Sequence, residues 1–306
     1  MDFRKKVIID TDIGDDIDDA FAILTAIYSK KFDILGITTV FRNAQNRAKI
    51  AGVLVESTGE NIPVYVGADG PADGKEVLVF PFEERDESGK PQIPHYFPDM
   101  KTSLIQDMSA EDFILSMAEK YPNEVTLIAI GPFTNVANAI RKNPEAFLKI
   151  EEVLIMGGER TGSWAEWNVR CDCESAKIVF DSPVKTTVCG YEITSQSALS
   201  VSDIQTVKNL KSKPFRLLNR MMDKYIADNK TRVPTMHDIV ALCAILNTEY
   251  YRYENRRVGV SLQSETRGKL LPFENAELKT FVSDADIKKI ISYMINLFVE
   301  VDEQLQ

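Results

Sequence analysis

The chain has 306 residues, 44% of them hydrophobic and 27% charged, enough apolar material for one large α/β domain or two small ones with a proper core. Its 46 acidic against 36 basic residues leave a net charge of −10 with no dense Lys/Arg block, so nucleic acid is excluded as an expected partner. No apolar run approaches the roughly 20 residues that cross a bilayer, and residues 1–6 lead into a strand rather than a signal-peptide core; the expectation is no membrane partner and a cytoplasmic location.

Short apolar runs alternate with amphipathic stretches, the signature of βαβ units on a parallel sheet. In chain order, the pattern predicts a strand at 7–10, a helix at 18–29, a strand at 34–40, a helix at 45–58 and a strand at 64–66. From Gly67 to Met108 it lapses into a stretch carrying Pro71, Pro81, Pro91, Pro94 and Pro98, and a loop this long inside a compact domain is usually functional or mobile. The alternation resumes with a helix at 110–121, a strand at 125–130, a helix at 134–143, a strand at 153–156, a helix at 175–180 and a strand at 186–188. After about Ser200 the chain turns more helical, with helices predicted at 214–228, 237–246 and 284–301. The expected fold is therefore α/β: an open, mostly parallel sheet with helices on both faces, extra helices in the C-terminal third, and a single domain over 1–306.

Six aspartates, Asp10, Asp12, Asp15, Asp16, Asp18 and Asp19, fall within ten residues directly after the apolar run Val7-Ile8-Ile9. Like charges a few ångströms apart repel by about 1 kcal/mol even in a water-like dielectric, so this run calls for a hard divalent cation with oxygen ligands. Asp18 and Asp19 also suit the first turn of a helix, where a carboxylate meets unpaired N–H groups, but a cap needs one aspartate and six are present. An EF-hand fits poorly, since Asp15 stands where its invariant glycine belongs and Phe21 where its terminal glutamate belongs. The four cysteines, Cys171, Cys173, Cys189 and Cys243, lack zinc-site spacing and read as reduced, buried thiols.

Ligands of open parallel sheets collect beyond the carboxyl ends of the strands. Asp10 and Asp12 follow the first strand, Asn43 the second, and Ile130-Gly131-Pro132 the fourth; Glu166-Trp167-Asn168 lies in the loop after 153–156, and His237-Asp238 opens a later helix.

These segments carry a resemblance. Asp10-Thr11-Asp12-Ile13-Gly14, Asp18-Asp19-Ala20, Ile130-Gly131-Pro132-Phe133-Thr134-Asn135, Met156-Gly157-Gly158, Ala165-Glu166-Trp167-Asn168 and His237-Asp238 together resemble the motif series of the inosine-uridine-preferring nucleoside hydrolases, in order and over nearly the whole chain. The resemblance implies a calcium-dependent enzyme that cleaves the N-glycosidic bond of a ribonucleoside to ribose and free base, working as a homodimer or homotetramer. It places calcium on Asp12, Asp19, Asp238 and the Ile130 carbonyl, with Asp12 taking the proton of a calcium-bound water and Asp10 orienting it. His237 would protonate the leaving base. Asn43, Asp18, Glu166 and Asn168 would hold ribose hydroxyls, Glu166 toward the 5′ end, where it disfavours a 5′-phosphate. Trp167, where the family usually has phenylalanine, would stack on the base or sit in the core. Of the two histidines, His95 reads as a surface residue of the long loop, and Tyr225 and Arg232 stand where they could line the base pocket.

The motif departs from the family in two places. Ile13 replaces a proline, and Asp15-Asp16-Ile17 widens the gap before the paired aspartates, so Asp16 could replace or support Asp19 as a ligand. The segment 158–164 is shorter than usual and lacks an expected asparagine, which leaves the base open, including a modified one. Two rivals remain in view: a haloacid-dehalogenase-like phosphatase, which also begins D-x-D but wants other residues after it, and a calcium-dependent nucleoside-binding protein without catalysis, against which Asp12 and His237 speak.

Overall fold

The computed structural model describes residues 4–71, 84–230 and 232–306. They form a ten-stranded sheet from β1 (Lys5–Thr11), β2 (Phe32–Thr39), β3 (Val64–Val66), β4 (Ile105–Gln106), β5 (Val125–Ala129), β6 (Glu152–Met156), β7 (Thr186–Cys189), β8 (Tyr251–Val260), β9 (Leu270–Pro272) and β10 (Leu278–Ala285). The order across the sheet is β4-β3-β2-β1-β5-β6-β7-β10-β8-β9. Every neighbour pair from β4 to β10 is parallel, while β8 runs antiparallel to both β10 and β9.

Alternate side chains of the central strands point to opposite faces, and each face has its own core. Ile9, Ile37, Ile128 and Leu154 pack with the helices Asp18–Tyr28, His237–Leu246 and Ile287–Leu305. Ile8, Leu127, Val153 and Val188 pack on the other side with Phe113, Val136 and Val179 of the helices Ala110–Lys120, Thr134–Lys142 and Cys173–Asp181. Strands buried on both faces read as continuous apolar runs, which is why β1, β5 and β6 were visible in the sequence.

The C-terminal third carries the expected helices, Lys213–Asp228, His237–Leu246 and Ile287–Leu305, and strands that were not expected. It holds β8, β9 and β10, and β10 slots in beside β7 to continue the parallel sheet. Tyr251–Val260 escapes an apolar-run search because its first seven residues are mostly polar and partly exposed. The last helix begins at Ile287, not 284: Asp284 belongs to β10, and Asp286 caps the helix by accepting from Lys289 N at 3.2 Å. In the proline-rich stretch, Ile105–Gln106 pairs with β3 and Arg85 bridges to Pro91; residues 72–83 of that predicted loop lie outside the described residues. Among the described residues no helix is long and apolar enough to cross a membrane.

Candidate active site

The parallel strands β1, β2, β5, β6 and β7 end on one side of the sheet, and the candidate residues sit in the loops that follow. Gly131, after β5, lets two of these loops close: a Cβ there would lie 2.8 Å from Asp12 N and 3.0 Å from Asp12 Oδ1.

At the centre, carboxylate oxygens of Asp18, Asp19 and Asp238 lie within 4.8 Å of one another, all buried. Burial, and then the charge of neighbouring aspartates, holds each of them well above the usual carboxylate range. Asp12 is raised by the same causes, burial first and Asp19 next. Three hard oxygen donors packed together out of water fit a divalent cation, whose charge would offset the repulsion. Asp238 N also donates to Asp18 Oδ2 at 3.2 Å, and Thr11 Oγ1 donates to Asp19 Oδ1.

The widened acidic loop divides its aspartates by partner. Asp15 pairs with Arg47 at 2.8 Å, and Asp16 accepts from the Tyr225 hydroxyl, beside the charge of Arg232. Asp18 and Asp19 are the two that meet Asp238.

Arg47 is the residue sequence reasoning missed. It lies in the first turn of the helix Ala44–Thr58, yet it is completely buried beneath the acidic loop. Its Nε donates to Phe41 O at 2.7 Å, Nη1 to Ile13 O at 3.1 Å and to Asp12 O, and Nη2 to Asp15. An isolated arginine in an amphipathic pattern reads as solvent-facing; six aspartates without a nearby cation were the signal for it. Phe41 and Arg42, with φ of 77° and 57°, are non-glycine residues in left-handed conformation, and the Arg47–Phe41 bond pins that strained turn.

The remaining candidates have defined partners. Asp10 Oδ1 accepts from Thr38 Oγ1 at 2.5 Å and Asn135 Nδ2 at 2.7 Å, while Oδ2 is buried without a hydrogen bond; burial pushes the carboxyl up to about 7. Asn43 caps its helix and donates through Nδ2 to Asp86 at 2.6 Å and Pro91 O at 3.1 Å. Glu166 caps the helix Trp167–Cys171, accepting from Gly158 N at 2.9 Å and Asn168 N at 3.0 Å, and burial lifts its carboxyl to about 7. Asn168 Nδ2 turns back to Ile130 O at 3.1 Å and Met156 O at 3.0 Å, so the Ile130 carbonyl already serves one donor. Trp167 packs with Val40, Phe41 and Cys171, half out of solvent.

His237 is largely buried, Nδ1 lies 2.8 Å from Thr194 Oγ1, and burial pushes its pKa down to about 4. His95 is not a surface residue: it is completely buried, its backbone N–H donates to Gly14 O at 3.0 Å, and its ring meets Tyr225 edge-on at 6.2 Å. The loop folds back over the first strand's end, which a sequence pattern dominated by prolines does not reveal.

The profile of the inosine-uridine preferring nucleoside hydrolases matches residues 7–296. The chain belongs to that family. Uridine nucleosidase 1 of Arabidopsis thaliana is 34% identical to this nucleoside hydrolase over 273 residues, 85% of this chain and 79% of that one. The inosine-uridine preferring nucleoside hydrolase of Crithidia fasciculata is 30% identical over 84% of each. Among solved structures, a plant nucleoside hydrolase, PpNRh1, superposes with a TM-score of 0.83 at 25% identity over 97% of this chain and 99% of its own.

Proposed function

We propose that this nucleoside hydrolase cleaves the N-glycosidic bond of ribonucleosides to ribose and free base, with calcium as its resident ion. The observation that carries the reading is the buried triad Asp18, Asp19 and Asp238, one residue away from His237, in a chain of this family.

By the family resemblance Asp12, Asp19, Asp238 and the Ile130 carbonyl would hold the ion; of these, Asp19 and Asp238 gather with Asp18 in the buried triad. When bound, a divalent ion of this kind supplies charge that grips a sugar diol and a water. Asp12 removes a proton from the attacking water, and Asp10, itself fixed by Thr38 and Asn135, keeps the end of β1 in place. As the C1′–N bond breaks, its electron pair goes to the base nitrogen, which takes a proton from His237; the water oxygen bonds to C1′. Burial alone disfavours a charged His237, and the negative charge developing on the base supplies the missing partner. Asn43, Glu166 and Asn168 line the ribose side, and Trp167 walls it. The same reading makes the chain one cytoplasmic domain over 1–306 that returns bases for reuse, and the family resemblance supports a homodimer or homotetramer.

The test is a chromatographic assay of calcium-loaded protein against uridine, inosine and modified ribonucleosides. Free base should appear, and Asp12→Ala should lower kcat by at least about a thousandfold, the scale of losing a base acting in concert with an acid. Turnover surviving that substitution, or phosphate release from nucleotides in place of base release, refutes the reading.

A further inference from the structure

The short helix Tyr191–Thr194 follows β7 on the side of the sheet that carries the acidic triad, and both of its ends touch His237. Thr194 is completely buried and brings its hydroxyl to Nδ1. Tyr191 lies face to face with the imidazole, ring centroids 5.6 Å apart and planes 22° from parallel, and Trp164 closes on Tyr191 edge-on at 4.6 Å. The mount is fixed on three sides: Tyr191 N donates to Gly158 O at 2.9 Å, Ser197 Oγ to Thr194 O at 2.6 Å, and Met236 N, just before His237, to Ser197 O at 3.1 Å.

We propose that Thr194 is a positioning residue that commits His237 to donating from Nε2. The inference rests on the reading of His237 as the acid for the leaving base. A protonated imidazole carries a proton on each nitrogen, and without a partner at Nδ1 either one could face the substrate. With Nδ1–H donating to Thr194 Oγ1, the proton that leaves is the one on Nε2. It goes to the base nitrogen that receives the electrons of the broken C1′–N bond, and the neutral ring keeps its Nδ1 proton on Thr194. The same bond therefore serves before and after transfer, which is how an outer hydrogen bond sets the working nitrogen of a histidine. Tyr191 covers one face of the ring and limits its tilt, so rotation about the Cβ–Cγ bond is opposed from two directions.

Such a role is separable from plain structural support by the leaving group. A nitrophenyl riboside expels a stable anion that needs no proton, so it reports everything at the site except the acid. Thr194→Val keeps shape and removes the hydroxyl; Thr194→Ser keeps the hydroxyl. With calcium present, Thr194→Val should lower kcat on uridine and inosine about 10–100-fold, with KM and the nitrophenyl riboside rate changed by less than about twofold. Thr194→Ser should restore kcat on the nucleosides to within about threefold of wild type. His237→Ala is run on the same substrates. If it slows the nucleosides but Thr194→Val does not, or if Thr194→Val slows both substrate types alike, the positioning role is overturned while the acid stands. If His237→Ala spares the nucleosides, the acid itself is refuted and the positioning role with it. Thr194→Ala, judged by the same criteria, replaces the valine variant should the latter not fold.

Discussion

Arg47→Met is the substitution that tests the architecture of the site most directly. Methionine fills much of the same buried volume but removes a guanidinium that donates to Phe41 O, Ile13 O, Asp12 O and Asp15. Leaving a buried acceptor unsatisfied costs about 1–3 kcal/mol, and three carbonyls at the low end give about 3 kcal/mol. The Asp15 carboxylate, whose side chain is 32% exposed, can turn to water and adds little. Removing the buried cation beside Asp12 and Asp19 adds to the repulsion there, so the total should fall at about 3–5 kcal/mol, within the range for breaking one half of a buried ionic network. Arg47→Lys separates charge from shape. A lysine ammonium can serve the Asp12 and Ile13 carbonyls that Nη1 now serves but cannot also span to Phe41, so about 1–2 kcal/mol should be lost. Urea unfolding followed by circular dichroism, in chelator, gives both numbers. A loss below about 1 kcal/mol for Arg47→Met would show that the acidic loop stands without its buried fork, and the reasoning fails.

Three further outcomes are expected. Calcium at a hundred times its dissociation constant should stabilise the protein by about 2.7 kcal/mol, and Asp238→Ala should abolish that shift; a persisting shift in differential scanning calorimetry means the ion binds elsewhere. Lys279 is buried, donates to Ser182 O at 2.5 Å and Thr186 Oγ1 at 3.2 Å, and burial lowers its pKa to about 8. The unfolded chain holds that proton more tightly, so unfolding takes up a proton between about pH 8 and 10.5, and wild type should gain about 2–3 kcal/mol relative to Lys279→Met between pH 7 and 10. A stability difference flat across that window refutes the assignment. Asp302, near the end of the last helix, accepts from Lys211 N at 2.9 Å and Ser212 N at 2.6 Å, tying down the entry to the helix Lys213–Asp228. Asp302→Ala should cost about 1–3 kcal/mol in urea unfolding, and a neutral result would show that water replaces the carboxylate there.

Much of this was legible in the chain because the physics was local. Val7-Ile8-Ile9 before an acidic run marks a buried strand end whatever the rest of the protein does, and the parallel sheet follows from repeats of that alternation. The antiparallel strands 251–260 and 278–285 were not legible, because their charged outer positions are stabilised by pairing with each other. Within the site, the aspartates and His237 were found by residue type, but their division of labour was not. Whether Asp15, Asp16 or Asp19 faces Asp238 depends on where Arg47 and Tyr225 lie, and neither neighbour is close in sequence. The burial of His95 likewise comes from a loop folding over a distant strand end.

The pairing of Asp18 with Asp238 spans 220 residues. At translation rates of about 5–20 residues per second, the ribosome needs about 10–45 s to deliver the second half of that pocket after the first. During that interval the emerging N-terminal segment exposes its crowded carboxylates to water, where they stay ionised and solvated. Assembly of the acidic centre therefore waits for the segment that carries Asp238, so chains stopped short of it should sequester no ion and the nascent protein stays chemically silent until that segment has emerged.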